Sequence, residues 1–218
     1  MKKYAWITLL ATDNFLPGVI MLNNSLKKVN TEYPLYVIAT NNLAQKTFDA
    51  LEKENILYKV YPYISFFCDG NRNLDFWKDV VDQRENVWWN CTFSKIYMFL
   101  FTEFEKICFV DADVEFLKNC DNYFSYPTPA AFCYPYSDGM PGGTMVITPS
   151  EKDFFKCLQI GSKLGIVNDE MIWYEWYPNF KNEPDHILPS EDFNYENNVD
   201  NLNTAKLIHY DGQAKPWL

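Results

Sequence analysis

The chain has 218 residues, 48% of them hydrophobic and 18% aromatic, with 19 Lys and Arg against 29 Asp and Glu for a formal net charge of −10. So much apolar surface excludes a disordered chain, because burying it offsets the entropy of ordering, and the length suits one domain with a real core. The basic runs stop at Lys2-Lys3 and Lys27-Lys28, which argues against a nucleic-acid partner and means that a phosphate-bearing substrate would call for a metal intermediary.

The opening "MKKYAWITLLATDNF" sets two lysines before an apolar run, as a secretion signal does. The run ends at Thr12-Asp13-Asn14 with no small-residue cleavage site, so it reads as a first β-strand. No segment approaches the ~20 apolar residues of a membrane span, and a cytoplasmic location is the expectation. "YAWITLLAT" (4–12) and "PLYVIAT" (34–40) read as strands. Between them Val19, Ile20, Leu22, Leu26 and Val29 recur at near-helical spacing behind Pro17, which predicts a parallel pair with a crossover helix.

The alternation continues with "LAQKTFDALEKEN" as helix, "ILYKVYPYI" as strand, "CTFSKIYMFLFTEF" as an amphipathic helix and "KICFVDADVEFL" as strand. That pattern predicts an α/β fold with a central, mostly parallel sheet flanked by helices, whose ligands gather at the C-terminal ends of strands near a switch point. Farther on, "AAFCYPY" and "GGTMVITPS" read as strands around a glycine turn, "EKDFFKCLQIGSKLG" as a helix and "NDEMIWYEWY" as a short aromatic helix. Pro178 to Lys206 is rich in Asn, Asp and Pro and reads as loop. Cys68, Cys91, Cys108, Cys120, Cys133 and Cys157 form no C-x-x-C pair, so reduced thiols are expected, with Cys108 in the core.

Within "ICFVDADVEFL" the acids Asp111, Asp113 and Glu115 stand at period two. On a strand they would share one face while Ala112 and Val114 face the core; at a strand end Asp111 and Asp113 could instead converge from a turn. Either geometry gives two hard oxygen ligands suited to Mg²⁺ or Mn²⁺, and a solvated strand edge is the plain alternative. The terminal "HYDGQAKPW" (209–217) adds a nitrogen ligand, a glycine that admits close backbone approach and a lysine charge for phosphate. Asp, Asp, His and Lys together describe a divalent-metal diphosphate site.

The D-x-D inside "FVDADVEFLKNCDNYF", followed by H-x-x-G-x-x-K-P-W, resembles glycosyltransferase family 8, the retaining transferases that include glycogenin and galactinol synthase. The likeness extends to "ITLLATDNFLPGVIMLNNSLK", "TFSKIYMFLFTEFEKICFVDADVEFLKN", "GGTMVITPS", "NDEMIW" and "LPSEDFN", in the family's order. It implies a single GT-A domain over residues 1–218, a Rossmann-like α/β unit with residues 1–120 as the nucleotide-binding half and 121–218 as the donor-sugar and acceptor half. It further implies a UDP-sugar donor, UDP-glucose first among them, with Mn²⁺ or in its place Mg²⁺. Asp111, Asp113 and His209 would ligate the metal, and Gly212 and Lys215 would hold the diphosphate. Leu9, Thr12, Phe15, Asp111 and Ala112 would surround uracil and ribose, and Lys95 would sit near phosphate and donor sugar. Gly142 and Gly143 would border that sugar, with Asp169 orienting substrates and Glu170 a candidate nucleophile against same-face attack by the acceptor.

Two residues depart from the family's pattern: Pro141 stands where relatives have Asn, and Glu170 follows Asp169 where they have Gln. These leave a nucleotide-sugar-binding module without turnover, or a metal-dependent nucleotide-sugar hydrolase, as competing readings. From Glu196 to Ile208 there is no tyrosine, so a separate glycan or protein acceptor is expected instead of self-glycosylation. A homodimer is compatible with this reading. Taken alone, His209 could be a structural histidine, Lys95 a solvated helix position, His186 a surface-loop residue and Glu115 a solvent-facing acid. Trp173, Trp176 and Tyr177 could be core or an acceptor groove.

Overall fold

Strand β1 (Tyr4–Leu10) buries every residue after Tyr4, as a strand covered on both faces does. It pairs in parallel with β2 (Leu35–Thr40) on one side and with β4 (Lys106–Val110) on the other, placing Trp6 opposite both Leu35 and Cys108. β3 (Leu57–Tyr61) continues in parallel beyond β2. Past β4 come β7 (Thr144–Ile147) and β6 (Ala130–Phe132), each antiparallel to its predecessor, and then β8 (Ile187–Leu188), parallel to β6. Four of the six pairings in the order β3-β2-β1-β4-β7-β6-β8 are parallel, so the expected mostly parallel sheet is present. A computed structural model describes residues 3–64, 90–133, 139–163, 168–195, 204–210, 212 and 215–217. Cys68 and the end of "AAFCYPY" lie outside them.

Helices cover both faces. On one, Trp6 packs with Leu22 and Leu26 of α1 (Leu16–Lys28) and with Phe116 and Phe124. Pro17 lies in the first turn of α1 and Lys27 and Lys28 in its last, where missing donors and the helix dipole favour them. α2 (Gln45–Lys53) buries Leu51 in a cluster with Val37 and Ala39 of β2. On the other face Ile7 and Leu9 meet Phe93 and Phe99, Cys157 and Ile160 of α3 (Glu151–Gly161), and Trp173 and Trp176 of α4 (Asp169–Trp176). Both tryptophans are core residues, so the acceptor-groove alternative for that stripe falls.

Several expectations are corrected. Phe93–Leu100 is a 3-10 helix, not an amphipathic α-helix; Phe93 through Phe99 are all buried, so no solvent face remains to set the period. "KICFVDADVEFL" is two strands. β4 ends at Val110, Asp111 N donates to Gly143 O and Val114 N to Asp111 O, and β5 (Val114–Phe116) then joins a second sheet, β5-β10-β9, with β10 (Leu207–His209) and β9 (Phe193–Tyr195). Asp111 and Asp113 therefore stand in a turn. Glu115 is half-buried and accepts from the Tyr210 hydroxyl at 2.8 Å, so it is not a free solvent acid. The stretch read as loop carries β8, β9 and three short 3-10 turns, elements fixed by pairing and too short to show a period.

His186 sits in one of those turns, its Nδ1 2.6 Å from Pro129 O. Among the described residues Cys108, Cys120 and Cys157 are buried free thiols, and no helix is long and apolar enough to cross a membrane.

β2 and β3 extend to one side of β1 and β4 to the other, so the order reverses between β1 and β4, and the strand ends there frame a crevice. α1 closes one wall: a Cβ on Gly18 would lie 2.6 Å from both Ala112 O and the Trp217 ring. Alanine normally favours a helix over glycine by about 1 kcal/mol. Here overpacking against a backbone carbonyl, about 1–3 kcal/mol, outweighs that gain. Gly18→Ala should lower the thermal midpoint; a raised midpoint would contradict this packing.

Candidate metal and nucleotide site

The crevice is a cleft of about 320 Å³. Leu9 and Thr12 reach it from the end of β1, Phe15 from the turn before α1, and Asp111, Ala112 and Asp113 from the turn after β4. Gly142 and Gly143 enter before β7, Asp169 and Glu170 on the first turn of α4, Lys95 on the 3-10 helix and His209 at the end of β10. Lys215 lies just behind, on Asp113, and Gly212 has left-handed backbone, φ +75. The sequence reading missed Ala11, Cys91, Thr92 and Asn168, which also line the cleft. Asn168 had a local signal, since its side chain caps α4 by accepting from Met171 N. Burial pushes the Cys91 thiol up to about 12, which disfavours its thiolate.

Each of two carboxylates is divided between a lysine and the centre. Asp111 gives Oδ1 to Lys95 Nζ at 2.8 Å and turns Oδ2 toward His209 Nε2 at 3.8 Å. Asp113 gives Oδ2 to Lys215 Nζ and Oδ1 to His209 Nε2 at 3.1 Å. One ligand atom from each of Asp111, Asp113 and His209 lies within 4.8 Å of the others. Two hard oxygens and an imidazole nitrogen fit a divalent ion such as Mn²⁺ or Mg²⁺, and the lysines fix the carboxylates from outside. Lys95 also reaches Asp169 Oδ2 at 2.9 Å and Gly142 O at 3.4 Å. Asp111, Asp113 and Asp169 against Lys95 and Lys215 leave one net negative charge among these five side chains, which suits a divalent cation.

The electrostatics follow the contacts. At Asp111 burial outweighs Lys95 and lifts the carboxyl to about 6. Burial would lift Asp113 too, but the His209 hydrogen bond and Lys215 overcome it and hold that carboxyl well below the usual range. Burial opposes the Lys95 charge, yet Asp111 and Asp169 raise its pKa. The glycines are spatial requirements. A Cβ on Gly143 would meet His209 Cε1 at 3.0 Å, and one on Gly142 would meet Asp169 Oδ2 at 2.5 Å.

A family model described as glycosyl transferase family 8 matches residues 6–159. The chain belongs to that family. Among family 8 relatives, glycogenin-1 of Caenorhabditis elegans is 24% identical over 228 residues, covering 98% of this chain and 50% of its own length. The UDP-glucuronate:xylan alpha-glucuronosyltransferase 2 of Arabidopsis thaliana is 25% identical over 233 residues, covering 100% of this chain and 36% of its own. This chain thus spans half of the first relative and about a third of the second. Galactosyltransferase LgtC, solved with donor and acceptor sugar analogues, superposes with a TM-score of 0.64 at 14% identity over 98% of this chain and 89% of that one. The fold shared with such neighbours is GT-A.

Lys95→Met would leave Asp111 and Asp169 facing each other with no cation between them. Removing one partner of a buried pair costs about 3–5 kcal/mol. Urea unfolding of the metal-free variant should show a loss of that order, and an unchanged midpoint would contradict the arrangement.

Proposed function

We propose that this chain is a retaining glycosyltransferase that moves a hexose from a UDP-sugar, UDP-glucose first, to a separate glycan or protein acceptor in the presence of Mn²⁺. The observation that carries the reading is the inward convergence of Asp111 Oδ2, Asp113 Oδ1 and His209 Nε2 while lysines hold the outer oxygens. When bound there, the ion neutralises the charge that develops on the departing diphosphate. Imidazole in the donor set favours Mn²⁺ over Ca²⁺.

Lys215, which stands on Asp113, and the left-handed backbone at Gly212 hold the diphosphate. Phe15 offers an aromatic face to the uracil, with Leu9, Thr12 and Ala112 around base and ribose. Gly142 and Gly143 admit the donor sugar between Asp169 and His209, and Lys95 bridges the sugar side to the phosphate side. Asp169 orients substrates for same-face attack by the acceptor hydroxyl, and Glu170 on the cleft wall contacts the sugar. Residues 1–120 supply most of the nucleotide side and 121–218 most of the sugar side of one GT-A domain. Glu170 and Pro141 favour a second reading, a binding module without turnover, which would bind UDP-glucose but release no UDP from it.

Titration calorimetry should show UDP binding with Mn²⁺ and its loss with a chelator. Mn²⁺ must displace the proton on Asp111, whose carboxyl sits at about 6, so affinity should hold above that pH and fall below it. Asp113→Asn should abolish Mn²⁺-supported UDP binding with the fold intact. UDP binding that is equal with and without chelator would refute the proposal.

A further inference from the structure

The Trp173 indole is fully buried one helical turn beyond Asp169 in α4, and its Nε1 donates to Asp169 Oδ2 at 3.1 Å. The same oxygen receives the Lys95 ammonium at 2.9 Å. A Cβ at position 142 would stand 2.5 Å from that oxygen and 2.7 Å from the indole nitrogen, so glycine there leaves room for the contact. The 3-10 helix, the turn before β7 and α4 thus meet at one oxygen of one carboxylate, and Asp169 itself lines the cleft.

We infer that Trp173 is a positioning residue: its indole N–H fixes the plane of the Asp169 carboxylate so that Oδ1 is presented to a hydroxyl of the donor sugar. This rests on the UDP-sugar reading above. Lys95 alone does not set that plane. An ammonium is a point charge with three rotatable donors on a flexible stem, and this one is shared with Asp111 Oδ1 at 2.8 Å. Left to Lys95, the carboxylate would turn to offer it both oxygens. The indole is a single donor of fixed direction on a rigid ring, wedged beside Phe99 and Trp176 with centroids at 6.4 and 6.5 Å. Buried indole N–H groups take a partner, so the contact serves the fold and the carboxylate together. Pro141, adjoining Gly142, brings neither a backbone nor a side-chain donor to this wall, which puts more of the sugar's recognition on Asp169.

The test separates recognition of the sugar from recognition of UDP. Affinities for UDP and for UDP-glucose, with Mn²⁺, are compared in the wild type, in Trp173→Phe, which keeps a ring and removes the donor, and in Phe99→Leu, which loosens the packing around the indole and keeps it. UDP affinity should stay within about twofold in all three. The ratio of UDP-glucose to UDP affinity should fall about tenfold in Trp173→Phe, a loss of about 1.4 kcal/mol, and hold in Phe99→Leu. An unchanged ratio in Trp173→Phe, or an equal fall in Phe99→Leu, overturns the inference. Absence of UDP binding in the wild type would remove the UDP-sugar reading itself, and this inference with it. Should Trp173→Phe not fold, the wild type carries the test by NMR with nitrogen-labelled tryptophan. The Trp173 Hε1 resonance, identified by its displacement in Asp169→Asn, must move when UDP-glucose replaces UDP; indifference to the sugar overturns the inference.

Discussion

Three carboxylates gathered at one cleft, Asp113 and Asp169 buried and Asp111 partly so, set the terms for everything around them. Withdrawing a carboxylate from water favours its protonated form, and Asp111, lifted to about 6 even with Lys95 at 2.8 Å, goes part of that way. Asp113 and Asp169 are less exposed still, and each is met by a lysine from a distant part of the chain. Lys95 requires the 3-10 helix to lie under the end of β4, and Lys215 requires the C-terminal segment to return across it. The segment is held there by Lys215 on Tyr210 O, by Tyr210 N on Asp113 O and by the packing of Trp217 against Gly18. The second sheet serves the same end, since pairing of β10 with β5 sets His209 opposite Val114, one residue from Asp113.

Much of this was legible in the sequence where a residue's type and spacing constrain its chemistry. The alternation of apolar runs and helical spacing announced the central sheet, and D-x-D with the terminal His and Lys named four side chains that meet. The spacing left open whether the two aspartates share a strand face or a turn. The structure takes the turn because the pairing of β4 ends at Phe109 on the β1 side and at Val110 on the β7 side, after which the chain crosses to another sheet. The ion pair between Lys95 and Asp169 could not be read at all: a lysine at helical spacing carries no sign of what it faces 74 residues later.

The parts that escaped have a common physical origin. β8, β9 and β10 are two or three residues long, shorter than any period that hydrophobicity can display, and exist because other strands pair with them. The helix expected over 91–104 was read from an apolar face, whereas burial from Phe93 through Phe99 leaves no polar side to define one. Trp173 looked like a stripe residue because its ring is apolar; its one polar atom, aimed at Asp169, is invisible to a hydropathy pattern. Of the two departures, Glu170 lines the cleft and Pro141 adjoins Gly142, which lines it; neither belongs to the Asp111, Asp113 and His209 cluster, so on the proposed reading a difference from relatives should appear in sugar recognition before it appears in the handling of the diphosphate.

On the reading proposed above, Asp111, Asp113 and His209 form one cation site whose outer oxygens stay with the lysines. Anomalous diffraction from a crystal grown with Mn²⁺ and UDP tests it most directly. A single strong peak is expected, bounded by Asp111, Asp113 and His209, with the UDP diphosphate beside it and Lys215 within reach of a phosphate oxygen. A peak elsewhere, or ordered UDP with no ion among those three residues, would contradict it.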